Sequence, residues 1–182
     1  DILMGPWCLL GNDQYLTDYK ELNFVPDPLH TPSDLEHHEK MTSDFAYWYF
    51  NILAKSLNDI NQSHYTHIFW HTMAFSWLIH LIQTTWEKQL RVNYLLKYYS
   101  NTEIEVTLVN NNIKFKFKNT LSFINNGLLN PIYHHWICSR LFEKHLPLKW
   151  KVNWINAEKI NTIIRTRSIK SKILNLYSNL VP

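Results

Sequence analysis

Glycine is nearly missing from this chain, with three residues in 182. Tight turns that need positive φ must therefore draw on asparagine, which is abundant. Only two cysteines occur, Cys8 and Cys138, far apart in sequence. That excludes a disulfide scaffold and a paired-cysteine metal site, so two free thiols are expected. No apolar run reaches the ~20 residues that span a bilayer. The nearest approach, Ile68 to Ile82, is interrupted by His71, Thr72, Ser76 and His80. Charge is also sparse, at 18% of residues with a net +3. Such a balance is too mild to mark a nucleic-acid partner, and the basic residues lack interleaved aromatics on a recognisable fold.

What is present is apolar and aromatic. The hydrophobic fraction is 46% and the aromatic fraction 15%, enough for one globular domain with a real core. Rings at that density favour large buried contacts, and also stacking surfaces for sugars or bases. The ten histidines add positive charge below about pH 6.5. The chain opens on Asp1 inside a strand-like run, which reads as a piece of a longer protein.

Short runs ended by turn residues open the chain. Ile2-Leu3-Met4 stops at Gly5-Pro6, and Leu22 to Val25 stops at Pro26, so both read as short strands. Strand, excursion, strand and loop is how many α/β domains begin. A helix then starts at Thr31-Pro32 or at Ser33 with Glu36, and ends near Asn58 to Gln62. Steps of three and four through Met41, Phe45, Trp48 and Ile52, with Leu53, Leu57 and Ile60 offset, predict its buried stripe.

The longest stretch free of Pro and Gly with high apolar content runs from Thr66 to Tyr98 and predicts a central helix. It is apolar nearly all round as far as Ile82, then amphipathic through Trp86, Leu90 and Tyr94. Trp70, Trp77 and Trp86 read as core pillars. His64, His67 and His71 share one face if the helix begins that early. A metal at that i, i+4 pair lacks a third ligand nearby, so ordinary polar bonding is the preferred reading and no metal is assigned.

Beyond the helix, Glu103 to Val109 and Ile113 to Lys118 both alternate with period two around Asn110-Asn111-Asn112, a candidate hairpin. Helices are predicted over Leu121 to Leu128 and Pro131 to Lys144, with breaks at Asn125-Asn126-Gly127 and Asn130-Pro131. Residues 149–182 turn basic, with Glu158 the single acid, and divide from residues 1–148 as a linker or interdomain helical segment. The fold expected is α/β and helix-rich, with short strands and a hairpin packed on long aromatic-rich helices.

Three blocks in this order resemble a family of large transferases encoded in bacterial O-antigen and surface-polysaccharide loci. Leu3-Met4-Gly5-Pro6-Trp7-Cys8-Leu9 is similar to the family's Gly-x-Trp-Cys element. Leu57-Asn58, His64 and then Trp70 to Lys88 are similar to its Leu-Asn, His and Tyr-Trp-Arg segment, which leads a long aromatic helix to an Asp-Arg-like pair. Leu129-Asn130-Pro131-Ile132-Tyr133 is similar to an Asn-x-x-Tyr element. There are departures: His71 stands for an Arg, Phe75-Ser76 for a Gly-Pro pair, and Glu87-Lys88 for Asp-Arg. Past Lys149 the resemblance stops.

The resemblance implies the amino-terminal portion of a two-lobed glycosyltransferase-like enzyme, incomplete as a lobe. This portion would hold a glycan or lipid-linked acceptor. A carboxyl-terminal lobe would hold the nucleotide-sugar donor, with no cofactor in this portion. Transfer needs a base for the acceptor hydroxyl and positive groups for the leaving phosphate. His67, His71 and Glu87 are the candidate bases. Lys88 and Arg91 are candidates to offset the phosphate charge, and Gly5, Pro6, Trp7, Asn130 and Tyr133 are candidate substrate contacts. The implied location is the cytoplasm, with a peripheral contact at the inner face of the membrane. The competing expectation is a non-catalytic helical module that packs on a partner domain or an acidic membrane surface through residues 149–182.

Overall fold

The computed structural model describes residues 2–5, 8, 23–110 and 114–156. Two short strands open it, β1 (Ile2–Leu3) and β2 (Asn23–Phe24), where the sequence predicts them, and they pair in parallel. The helix α1 (Pro32–Asn61) begins as the Thr31-Pro32 cap predicts. The box is closed by Asp34, whose backbone N–H donates to the Thr31 hydroxyl oxygen, rather than by Ser33 and Glu36. Gln62 ends the helix with φ of 50°, a left-handed cap supplied without glycine.

The central helix follows, capped by Thr66, whose hydroxyl accepts from Phe69 N–H. It runs as α2 (His67–Trp70), a π-helical turn over His71–Phe75, and α3 (Ser76–Tyr99). His64 precedes it and shares no helical face with His67 and His71.

The buried faces differ from the predicted stripes. In α1 the face against α3 is Thr42, Ala46, Phe50 and Ala54, while Met41, Phe45, Trp48 and Ile52 point outward. Small residues at steps of four allow a close approach of the two helices. In α3 the buried set is Leu78, Lys88, Arg91, Val92 and Leu95, displaced from the Trp86, Leu90, Tyr94 stripe. Trp70 and Trp77 pack on the Phe50, Ala54, Leu78 cluster as pillars, whereas Trp86 is exposed. Ile68 and Met73 are also exposed, so burial is not all-round at the start of this helix.

After α3 comes β3 (Ile104–Val109), and its partner corrects the hairpin. β3 pairs in parallel with β4 (Trp150–Ile155), in register from Ile104 with Trp150 to Val109 with Ile155. Phe115 and Phe117, the apolar positions of the predicted return strand, join an aromatic cluster with Phe123 and Tyr133 instead. The cross-strand charge pair is Glu105 with Lys151, at 3.7 Å. Between the strands lie α4 (Thr120–Phe123), a π-helical turn over Ile124–Leu128, and α5 (Pro131–Glu143), which packs on β3. Thr120 to Leu128 is continuous through Asn125–Gly127. Gly127 lies against the ring of Phe123, where a Cβ would sit at 3.0 Å.

The fold is thus the helix-rich α/β arrangement expected, and both strand pairs among the described residues are parallel. The main core joins Val25 beside β2, Val92 and Leu95 of α3, Leu108 of β3, Phe142 of α5 and Trp150 of β4. Trp150 belongs to the 149–182 segment, so a boundary at 148 cuts through this core. Residues 157–182 lie outside the described ones. Among the described residues no helix is long and apolar enough to cross a membrane.

Candidate functional site

Because β1 and β2 are parallel, their carboxyl ends leave the sheet at one edge, where open α/β folds place ligands. Met4 and Gly5 follow β1, and Val25 to Asp27 follow β2. One helix of the core brings charge to this edge. Glu87 and Arg91 stand one turn apart on α3, the acid nearer the amino end, and Arg91 Nε donates to Glu87 Oε1. Lys88 Nζ donates to the other Glu87 oxygen. The Arg91 guanidinium then reaches both strand ends. It donates to Met4 O at 3.1 Å, to Val25 O at 3.3 Å and to Asp27 Oδ1 at 3.2 Å. Lys88 is 4% exposed and Arg91 8%, so these charges are held out of water by pairing.

Two thiols and a histidine border the cluster. The half-buried Cys8 folds back through its N–H onto Gly5 O at 3.0 Å. Burial pushes its thiol up, with backbone contacts from Gly5 and Met4 and the charges of Lys88 and Arg91 pulling back. Cys138 of α5 is buried and pushed up to about 12 by desolvation, with Lys88 opposing. Neither is the thiolate that nucleophilic chemistry needs. One turn earlier on α5, His134 Nε2 donates to Leu128 O at 2.6 Å. Burial holds its imidazole below the usual range, the Leu128 contact opposing. His135 beside it donates to Thr107 O at 2.9 Å and is lowered by the same cause.

A similar clasp holds the carboxyl end of β3. Val109 N–H donates to the Ser139 hydroxyl at 2.9 Å, and Arg140 donates to Val109 O at 2.7 Å. The carboxyl ends of β1, β2 and β3 are thereby each fastened to a helix side chain.

The expected site residues separate into three groups. Gly5, Glu87, Lys88 and Arg91 come together at the β1–β2 edge. His67 and His71 lie sixteen to twenty residues earlier along the same helical run, about 24–30 Å away at 1.5 Å per residue, and do not join Glu87. His67 Nε2 is 3.0 Å from Asn51 Oδ1, and His71 meets Phe50 edge-on at 5.5 Å between ring centres, so both rings pack against α1. Asn130 and Tyr133 serve the fold. Asn130 caps α5 by accepting from Ile132 N–H at 2.9 Å, and Tyr133 is buried among Phe115, Phe117 and Phe123. Pro6 and Trp7 lie outside the described residues.

Two open hollows occur away from the cluster. One of about 470 Å³ is lined by Lys55, Asn58 and His64 among others. One of about 170 Å³ is lined by Met73, Trp77, Phe117 and Lys118 among others, beside the first π-helical turn. Among the described residues no three His, Cys, Asp or Glu side chains converge as a metal site. Sequence reasoning missed Asp27, Cys8, His134 and Cys138 as neighbours of the charged cluster. Cys8 alone carried a signal, as the last residue of the Gly-x-Trp-Cys element.

A helix-rich α/β chain with a charged cluster at parallel strand ends defines a fold class and not one activity. The particular family follows from the whole sequence. Residues 1–182 match the model of the LIC12162 family transferases, and the chain belongs to that family. The match runs past Lys149, where the sequence resemblance was expected to stop. No curated protein and no solved structure matches the chain.

Proposed function

We propose that this transferase moves a sugar from a nucleotide-sugar donor to a glycan or lipid-linked acceptor in surface-polysaccharide (O-antigen) synthesis. This chain supplies the acceptor side, and a carboxyl-terminal lobe supplies most of the donor site. The work takes place in the cytoplasm, at the inner face of the membrane. The observation that carries the reading is the half-buried Glu87 paired with the buried Lys88 and Arg91 at the carboxyl ends of β1 and β2.

Glycosyl transfer needs little more than such a set. Glu87 presents two oxygens with about four lone-pair sites, of which Lys88 and Arg91 each occupy one. It therefore keeps capacity to take the proton of an acceptor hydroxyl. The freed oxygen attacks the anomeric carbon, the bond from that carbon to the phosphate oxygen breaks, and the nucleotide leaves with the electron pair. Lys88 offsets the charge that grows on the phosphate. Arg91 is the positioning residue, since its donors already hold Glu87 and both strand ends. Gly5, buried beside the cluster, leaves the edge without a side chain in the way.

The test is a transfer assay with a panel of nucleotide sugars, using a protein that carries this chain and its carboxyl-terminal lobe. Release of nucleotide that depends on a glycan acceptor is the expected result. Activity with no nucleotide sugar in the panel, from folded protein, would remove the glycosyl reading while leaving the family assignment in place.

A further inference from the structure

The charged edge holds a second carboxylate that the transfer step leaves unused. Asp27 follows β2 and stands between Pro26 and Pro28. Each proline fixes its own φ and confines the residue before it to extended backbone, so Asp27 sits on a stiff stretch. Its side chain is fastened as well. Oδ1 accepts from Leu29 N–H at 3.1 Å and from Arg91 Nη2 at 3.2 Å. Among the described residues nothing donates to Oδ2. The Asp27 side chain is 58% exposed against 16% for Glu87, so Asp27 is the outer acid of the edge and Glu87 the inner one. An ion pair this open adds little to stability.

One cation holds both acids. Arg91 Nε donates to Glu87 Oε1, and Arg91 Nη2 donates to Asp27 Oδ1. Those two nitrogens share one edge of the planar guanidinium, so the two carboxylates lie side by side. Each keeps lone pairs that Lys88 and Arg91 do not take. Two acceptors set side by side match two hydroxyls on neighbouring carbons of a sugar ring. The charge fits a neutral ligand, since Lys88 and Arg91 balance Glu87 and Asp27. A divalent cation suits the pair less well. Arg91 already stands between the carboxylates, and among the described residues no three acid, histidine or cysteine side chains converge as a metal site.

We infer that Asp27 is the specificity-determining residue of the acceptor site: its Oδ2 accepts from one hydroxyl of a vicinal diol on a sugar ring, and Glu87 meets the other. Diol binding rests on the acceptor role proposed for this edge and names its substrate class. Asp27→Asn isolates the free oxygen, because asparagine keeps one carbonyl oxygen for Leu29 N–H and Arg91 and puts an amide nitrogen where Oδ2 stood. The probes are methyl hexopyranosides and their monodeoxy analogues. Binding to the 182-residue chain is followed by saturation-transfer NMR, and transfer kinetics in a protein that carries the proposed carboxyl-terminal lobe. The wild type is expected to bind at least one hexoside about 10–100-fold more tightly than the analogue that lacks the neighbouring hydroxyl. Asp27→Asn is expected to bind both alike, with its urea midpoint nearly unchanged. In transfer it should raise KM for the hexoside by the same factor and leave kcat in place. A purely structural role would instead shift the urea midpoint and leave the discrimination intact. Absence of hexoside binding by the wild type at millimolar concentration overturns the inference. So does discrimination that survives in Asp27→Asn. Discrimination lost in Asp27→Asn, in a protein that transfers from no nucleotide sugar, supports diol binding and removes the transfer reading. Transfer whose KM ignores Asp27→Asn does the reverse.

Discussion

Arg91 donates to Glu87, Met4, Val25 and Asp27, acceptors from three separate segments of the chain. Removing one member of a buried charged set costs more than the set contributes, because the partners are left in place unpaired. Arg91→Ala is therefore expected to lower stability by about 3 kcal/mol, measured by urea unfolding. At the same scale, His134 and His135 give the fold a pH dependence. Burial lowers both below the ordinary histidine value, so between the folded and unfolded values the unfolded chain binds more protons. Their contribution to stability is complete above the unfolded value of about 6.5 and is lost as pH falls through the window beneath it. Urea midpoints should drop from pH 7.5 to 5.5, less steeply in His135→Asn. A midpoint that rises on acidification would contradict this. Glu87, Lys88 and Arg91 could be named from the sequence because they share one helix. Asp27, His134 and Cys138 could not, since only the folded chain brings segments dozens of residues apart to one edge.

At the scale of elements, local punctuation was readable and pairing was not. Thr31-Pro32 and Asn130-Pro131 mark helix starts because a cap and a preset φ act within a few residues. The partner of β3 lies more than forty residues on, at β4, while a nearer alternating run, Ile113 to Lys118, mimics a hairpin. The buried face of α1 was hidden for another reason. Large apolar residues draw the eye to Met41, Phe45, Trp48 and Ile52, but close packing on α3 selects Thr42, Ala46 and Ala54 beside Phe50. Ala46→Leu, at a fully buried position, should overpack this contact and cost about 1–3 kcal/mol. Trp48→Ala on the opposite face should change stability by less than about 0.5 kcal/mol. Equal effects of the two substitutions in chemical unfolding would mean that the faces are assigned the wrong way round.

For the whole molecule, one core ties the first residues to the last described ones. Met4 packs on the cluster that holds Val25, Val92, Leu108, Phe142 and Trp150, and Trp150 Nε1 donates to Tyr99 O at 2.9 Å. A chain cut after Leu148 loses β4 and leaves β3 without its parallel partner. It should therefore lose cooperative unfolding in a thermal melt. A sharp, unshifted transition would show instead that residues 149–182 stand apart from the fold. The same core carries the proposed site, because α3 delivers Glu87 and Lys88 to the strand ends through it. The proposed chemistry belongs to this edge and not to the histidines at the far end of the helical run. The direct measurement is transfer turnover in a protein that carries the proposed carboxyl-terminal lobe, comparing Glu87→Gln with His67→Ala/His71→Ala. Expected are a loss of about 10²–10⁴-fold for Glu87→Gln, with the fold retained by circular dichroism, and near-unchanged turnover for the double histidine variant. Full turnover in Glu87→Gln alongside collapse in the histidine variant would contradict this expectation.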